Sequence, residues 1–201
     1  MPKRKLTNML GAMHPMSKQL RSLLEDDNTL RKQVIKKGDK ILMPKMMADE
    51  AHYIASGAFK GYYMNEENEP ETFYIWTLND IMLLPEEFFA GLQNQTVHIV
   101  ALDDSEIYTI TKAQMDVIYS KYPEAMVYTN MIRNEMHRWR MLHTAILMKR
   151  PNLRYDLFYS WFHRLWLLNL PDREIRWFLG ICQKTLTTGK RELVLRDRGR
   201  R

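Results

Sequence analysis

Pro171-Asp172-Arg173-Glu174-Ile175-Arg176-Trp177-Phe178-Leu179-Gly180-Ile181-Cys182-Gln183-Lys184-Thr185-Leu186-Thr187-Thr188-Gly189-Lys190-Arg191-Glu192-Leu193 is the stretch on which the fold turns. Pro171 stops a preceding helix, and Asp172 can cap a new one whose first turn holds Glu174, where the helix dipole favours negative charge. Ile175, Phe178 and Leu179 share one face of that helix. Gly180 ends it, because a sharp turn there needs a residue tolerant of positive φ. Ile181 plugs the corner, and a second helix begins near Gln183 with Leu186 turned inward. This is the spacing of a helix-turn-helix, whose second helix lies in a DNA major groove.

The charge around the stretch points the same way. Of 30 Lys and Arg and 24 Asp and Glu in the chain, residues 149–201 carry 13 and 5, a balance of +8. Residues 1–148 carry the remaining 17 and 19, a balance of −2. The positive excess is therefore gathered beside the two short helices, as a phosphate-facing module requires. A solvated basic tail of Arg196, Arg198, Arg200 and Arg201 accounts for four of those charges. The single cysteine, Cys182, excludes an intrachain disulfide and suits a reduced, cytoplasmic setting. Met-Pro-Lys-Arg-Lys at the start has no apolar run behind it. The most apolar segment, Phe158 to Leu168, is broken by His163 and Arg164 and is too short to span a bilayer. We expect no membrane contact.

Working outward toward the N-terminus, Tyr128, Ile132, Met136, Trp139, Leu142 and Ile146 recur at steps of three and four. They predict one long helix from Tyr122 to Lys149 with an apolar stripe, which reads as a dimer seam or as packing on its own domain. Pro151 ends that helix, and another runs from Leu153 to Leu168. Upstream, short strands alternate with turns. Gln33–Ile35 and Ile41–Met43 flank Gly38-Asp39, and Tyr53–Ala55 and Phe59–Tyr63 flank Ser56-Gly57. Thr72–Leu78 and Val97–Leu102 follow, and Ile107–Ile110 comes after Asp103-Asp104. This pattern predicts a β-sandwich or roll, preceded by a short amphipathic helix over 16–30 carrying Leu20, Leu23, Leu24 and Leu30. No Gly-rich phosphate loop, internal repeat or nucleophile–base pairing occurs, and we expect no catalysis.

In this order and at this length, the chain resembles the cyclic-AMP receptor protein and FNR (Crp/Fnr) family of bacterial transcription regulators, and most of all its Bacteroidetes branch. The segments that carry the likeness are Ile35–Asp39, Ile54–Tyr63, Ala101–Glu106, Leu153-Arg154-Tyr155 and Ile175–Leu186. The resemblance implies an α+β chain in three parts. Residues 1–121 form a cyclic-nucleotide-binding-like β-roll sensor, 122–150 a dimerisation helix, and 151–201 a winged helix-turn-helix with a short or missing wing. It implies a homodimer on double-stranded DNA, with RNA polymerase and a small-molecule effector as further partners. By position, Gln183, Lys184 and Thr188 face base edges and Thr185, Thr187, Lys190 and Arg191 face phosphates. Each of these also reads as a solvated surface residue.

The sequence departs from the family in two places. Gln95 stands where cyclic-nucleotide binders place the phosphate arginine, and a neutral amide cannot give charge-assisted, bidentate pairing. With Glu86 and Glu87 nearby, cyclic AMP is not the expected ligand; any effector would meet aromatic walls from Tyr62, Tyr74 and Trp76. In the reading head, Arg176, Thr188 and Gly189 replace the branch's usual alanine, arginine and apolar residue. Glycine weakens the helix and removes an inward contact. A degenerate relative acting through protein contacts is thus the alternative. One cysteine cannot hold the four-cysteine iron–sulfur cluster of oxygen-sensing relatives. His98, His137 and His143 do not form a recognisable haem or zinc set, so no cofactor or metal is expected.

Overall fold

The computed structural model describes residues 2–166, 168 and 170–198. Arg200 and Arg201 of the basic tail, and Leu167 within the expected 153–168 helix, lie outside the described residues. The elements follow in the order α1 Pro2–Met13, α2 Lys18–Glu25, β1 Arg31–Ile35, β2 Lys40–Leu42, β3 Glu50–Ser56, β4 Phe59–Met64, β5 Pro70–Trp76, β6 Ile81–Met82, α3 Pro85–Ala90, β7 His98–Ala101, β8 Ser105–Thr111, α4 Lys112–Lys121, α5 Glu124–Leu147, α6 Pro151–Trp161, α7 His163–Trp166, α8 Asp172–Leu179 and α9 Gln183–Arg198. The chain folds into two compact units, Met1–Gly61 with Trp76–Met136, and Tyr62–Ile75 with His137–Arg201. The tip of the β4–β5 hairpin thus belongs with the C-terminal helices, and α5 contributes to both units.

The strands form two four-stranded sheets, ordered β1-β8-β3-β6 and β2-β7-β4-β5. In the first sheet all pairs are antiparallel, with Tyr53 opposite Tyr108 and Ile54 opposite Ile107. Ile54 and Ile107 are fully buried. The β3–β4 turn depends on Gly57, at φ 87°, because a Cβ there would stand 1.9 Å from the Ser105 hydroxyl. No larger residue fits this turn.

Helices extend this unit beyond the sequence reading. Ser17 caps α2 by accepting the Leu20 N–H at 3.2 Å, and α2 places Leu20 and Leu24 inward. The earlier helix α1 lies against it: Lys3 Nζ donates to the Asp26 carbonyl at 2.6 Å, and the Thr7 hydroxyl donates to Glu25 Oε1 at the same distance. Thr111 and Gln114 form a reciprocal capping box that starts α4. Proline at the first helical position of α3 and Gly91 in the left-handed conformation at its end bound that short helix.

The second unit is built on aromatic packing. Trp139 of α5 lies 4.1 Å from Tyr74 of β5, 4.8 Å from Phe162 and 5.4 Å from Phe178, ring centre to ring centre. The Tyr74 contact accounts for the grouping of the hairpin tip with α5. The expected 153–168 helix is instead two: α6 begins at Pro151 and breaks at Phe162 before α7.

The stripe on α5 is largely interior to the single chain. Tyr128, Met136 and Ile146 are buried and Ile132 and Trp139 half-buried, while Leu142 is 41% exposed. Tyr128 also donates to the His14 and Pro15 carbonyls. Five of the six residues therefore pack within their own chain, and the face open to a partner is the opposite one. Among the described residues, no helix is long and apolar enough to cross a membrane.

Candidate nucleic-acid interface

Helix α8 is held by its apolar side. Ile175, Phe178 and Leu179 are buried, and Gly180 follows in the left-handed region at φ 56°. Ile181 is buried at the corner, and Leu186 anchors α9 with no exposure at all. Two polar groups lock the turn from outside the motif. Arg154 of α6 donates through Nη1 to the Leu179 and Gly180 carbonyls at 2.9 Å each, and through Nε to the Lys149 carbonyl. His143 of α5 donates from Nε2 to the Phe178 carbonyl at 2.6 Å and stacks on the Phe178 ring at 4.0 Å. Burial holds that imidazole below its ordinary range, against the opposing pull of the carbonyl.

With the inner face of α9 fixed, its outer face follows from a turn of 100° per residue. Gln183, Lys184, Thr187 and Arg191 are exposed on one side, and Thr188 and Lys190 are half-exposed at its edges. Thr185 is turned away: its hydroxyl lies 3.3 Å from Cys182 Sγ. That contact and the N–H groups opening the helix pull the exposed Cys182 thiol below its usual range. The structure thus brings six of the seven expected contact residues to one face and its margins.

Asp172 has a different role from the cap read in the sequence. It is the first helical residue of α8 rather than the cap, which is Pro171 without a side-chain bond. Its carboxylate pairs with Lys190 Nζ and accepts from Gln183 Nε2 at 3.2 Å. Lys190 first, and then Gln183, holds the Asp172 carboxyl below the usual carboxylate range. An anion thus sits between two groups expected to contact DNA. Local sequence spacing could not reveal it, since the partners are eleven and eighteen residues away.

Gly189 is also explained. A Cβ there would stand 3.0 Å from both Cβ and Cδ1 of Tyr155, so the buried Tyr155 ring fills the space that an apolar side chain would take. The inward contact is therefore supplied from α6 rather than lost. Helix α9 continues through Val194 and Leu195, both exposed, to Arg198. Among the described residues no strand follows it, so no wing is present there.

In the first unit, Gln95 is exposed and donates to the Gln93 carbonyl at 3.2 Å. Tyr62, Tyr74 and Trp76, expected as walls of an effector pocket, are all buried, and Tyr74 is stacked on Trp139. Among the described residues, no three His, Cys, Asp or Glu side chains converge as a metal set would.

No protein-family model matches the chain, and neither does any curated protein. Solved structures do. FixK2 from Bradyrhizobium japonicum superposes with a TM-score of 0.68 at 13% identity, over 84% of this chain and 86% of its own. A transcriptional regulator of the Crp/Fnr family from Eubacterium rectale gives 0.68 at 20% identity, over 90% and 85%. A CooA mutant from Carboxydothermus hydrogenoformans gives 0.65 at 16%, over 88% and 84%. Over nearly its whole length, the chain has the fold of the Crp/Fnr transcription regulators.

Proposed function

We propose that this protein is a DNA-binding transcription regulator of the Crp/Fnr type that acts as a cytoplasmic homodimer and makes contact with RNA polymerase. The observation that carries the reading is α9: a helix anchored by the fully buried Leu186 whose opposite face presents Gln183, Lys184, Thr187 and Arg191 to solvent. Gln183 suits adenine and Lys184 guanine, while Arg191 and the threonines suit phosphates. The fold shared with known regulators supports it. Cyclic AMP is not its effector, because Gln95 offers a phosphate neither charge nor a bidentate fork.

We assign the dimer seam to the face of α5 opposite its buried stripe. Val127, Met131, Asn134, Met141, Ala145 and Met148 follow one another at steps of four and three, except where Arg138 falls between Asn134 and Met141, the repeat of a two-helix seam. Met141 is 57% and Met148 81% exposed in the single chain. Two chains joined there would place their α9 helices on successive major grooves, roughly 34 Å apart.

The alternative, a reading head that binds DNA weakly and acts through protein contacts, is favoured by one observation, the Asp172 carboxylate held against Lys190 and Gln183. Selection of bound duplexes from a random library separates the two. The regulator reading expects enrichment of two half-sites about one helical turn apart. Duplex binding with no enriched sequence would support the alternative.

A further inference from the structure

The first unit contains a cavity of about 110 Å³ on the side of the β1-β8-β3-β6 sheet that carries the helices. Its roof is Leu6 of α1 with Leu20 and Leu24 of α2, and its floor includes Tyr53 and Ile110 of β3 and β8. Cavities of this size and lining stay dry and accept a single apolar ring, whereas a water needs polar partners. It is separate from the position of Gln95, which does not line it.

One end of the cavity is polar. Tyr119, Thr129, Phe89 and Arg133 meet there. The Thr129 hydroxyl donates to the Ala125 carbonyl at 3.1 Å, so the Tyr119 hydroxyl, 2.8 Å away, donates to Thr129. Those two groups satisfy each other. Arg133 is exposed, which marks the mouth, and its guanidinium lies 5.0 Å from the Phe89 ring. Among the described residues it pairs with no carboxylate. The site therefore combines an apolar interior for one ring with a single unmatched cation at its entrance.

We infer that this cavity binds a single-ring aromatic carboxylate, with the ring between the α1–α2 roof and the sheet and the carboxylate on the Arg133 guanidinium. The carboxylate gains a charge-assisted, bidentate pair, and the ring leaves water for an apolar enclosure. Four of the lining residues, Ala125, Thr129, Ile132 and Arg133, lie on the first three turns of α5. Binding itself is independent of whether α9 reads DNA.

The test is titration calorimetry of the full chain with benzoate and with toluene. Both should bind, benzoate more tightly. Arg133→Met should weaken benzoate by about ten- to a hundredfold, the worth of a hydrogen bond to a charged group, and leave toluene unchanged. Ala51→Leu, which fills space at the floor, should weaken both, with near-ultraviolet circular dichroism confirming that the variant is folded. Saturation-transfer NMR on the wild-type protein should show the benzoate ring protons contacting protein methyl groups. The proposal is overturned if benzoate fails to bind up to about 10 mM, a level at which even a weak site fills, or if it binds the wild type and Arg133→Met equally.

Discussion

Replacing Asp172 with asparagine should tighten DNA binding. Asp172 keeps Lys190 from the solvent-facing edge of α9 and places a negative charge where phosphates must approach. Both side chains of this pair are about two-fifths exposed, so water screens it and its contribution to folding is small, about 0–1 kcal/mol. The amide of the variant would still accept from Gln183 but would no longer hold the ammonium. A freed Lys190 adds about one phosphate contact, which steepens the dependence of log affinity on log salt by about 0.9. A gain of about 1 kcal/mol corresponds to roughly fivefold in affinity. The assay is fluorescence anisotropy with a random-sequence duplex across a salt series, and a thermal melt tests that the fold is intact. Unchanged affinity and slope would show that Asp172 does not compete with DNA. The carboxyl is already held low, so its pair persists above the usual carboxylate range and is lost only as pH falls through its depressed value. Acidification near neutrality would not release Lys190.

Other outcomes follow from packing and burial. Gly189→Ala gains about 1 kcal/mol of helix propensity, but its Cβ meets the buried Tyr155 at 3.0 Å, an overpacking cost of about 1–3 kcal/mol; a lowered urea midpoint is expected, and a raised one would refute the close approach. His52 is held at about 4 by burial, with Arg31 adding to the effect. Its ordinary value is 6.5, so the folded state binds fewer protons than the unfolded chain. Stability is full above pH 6.5 and falls as pH drops toward 4, by about 2 kcal/mol at about pH 5 from this group alone. His52→Gln should flatten the loss between about pH 7 and 5 in denaturant titrations. Met141→Glu should shift sedimentation from dimer to monomer with little loss of stability, because Met141 is exposed in the single chain. Trp139→Ala should do the reverse, costing about 3 kcal/mol by emptying the cluster with Tyr74, Phe162 and Phe178.

The helix-turn-helix is legible in the sequence because its signals are local: buried residues at helical spacing, a glycine at positive φ, and an apolar corner residue. The strands at 31–35, 40–42, 50–56 and 59–64 are legible from glycine turns between β-favouring runs. Helix α1 is not, since its inward residues Leu6 and Leu10 alternate with Lys3 and Thr7, whose polar groups are satisfied only by α2 and the loop after it. The stripe on α5 is apolar as its spacing predicts, but periodicity alone cannot say whether such a face meets its own chain or a second copy. Tyr128 and Trp139 meet their own chain because the segment before α2 and the β4–β5 hairpin reach them across large sequence separations. Gly189 and Asp172 differ from their sequence reading for the same reason: their partners, Tyr155 and Lys190, lie on other helices.

The most direct test of the regulator reading is the salt dependence of duplex binding by wild-type protein and by a Lys184→Ala, Arg191→Ala double variant. Steep loss of affinity with salt is predicted for the wild type, with the log–log slope reduced by about 1.8 in the variant, about 0.9 for each lost phosphate-range cation. A wild-type protein indifferent to duplex DNA at low salt, or a slope that the double substitution leaves unchanged, would contradict the assignment of α9 as the surface that meets DNA.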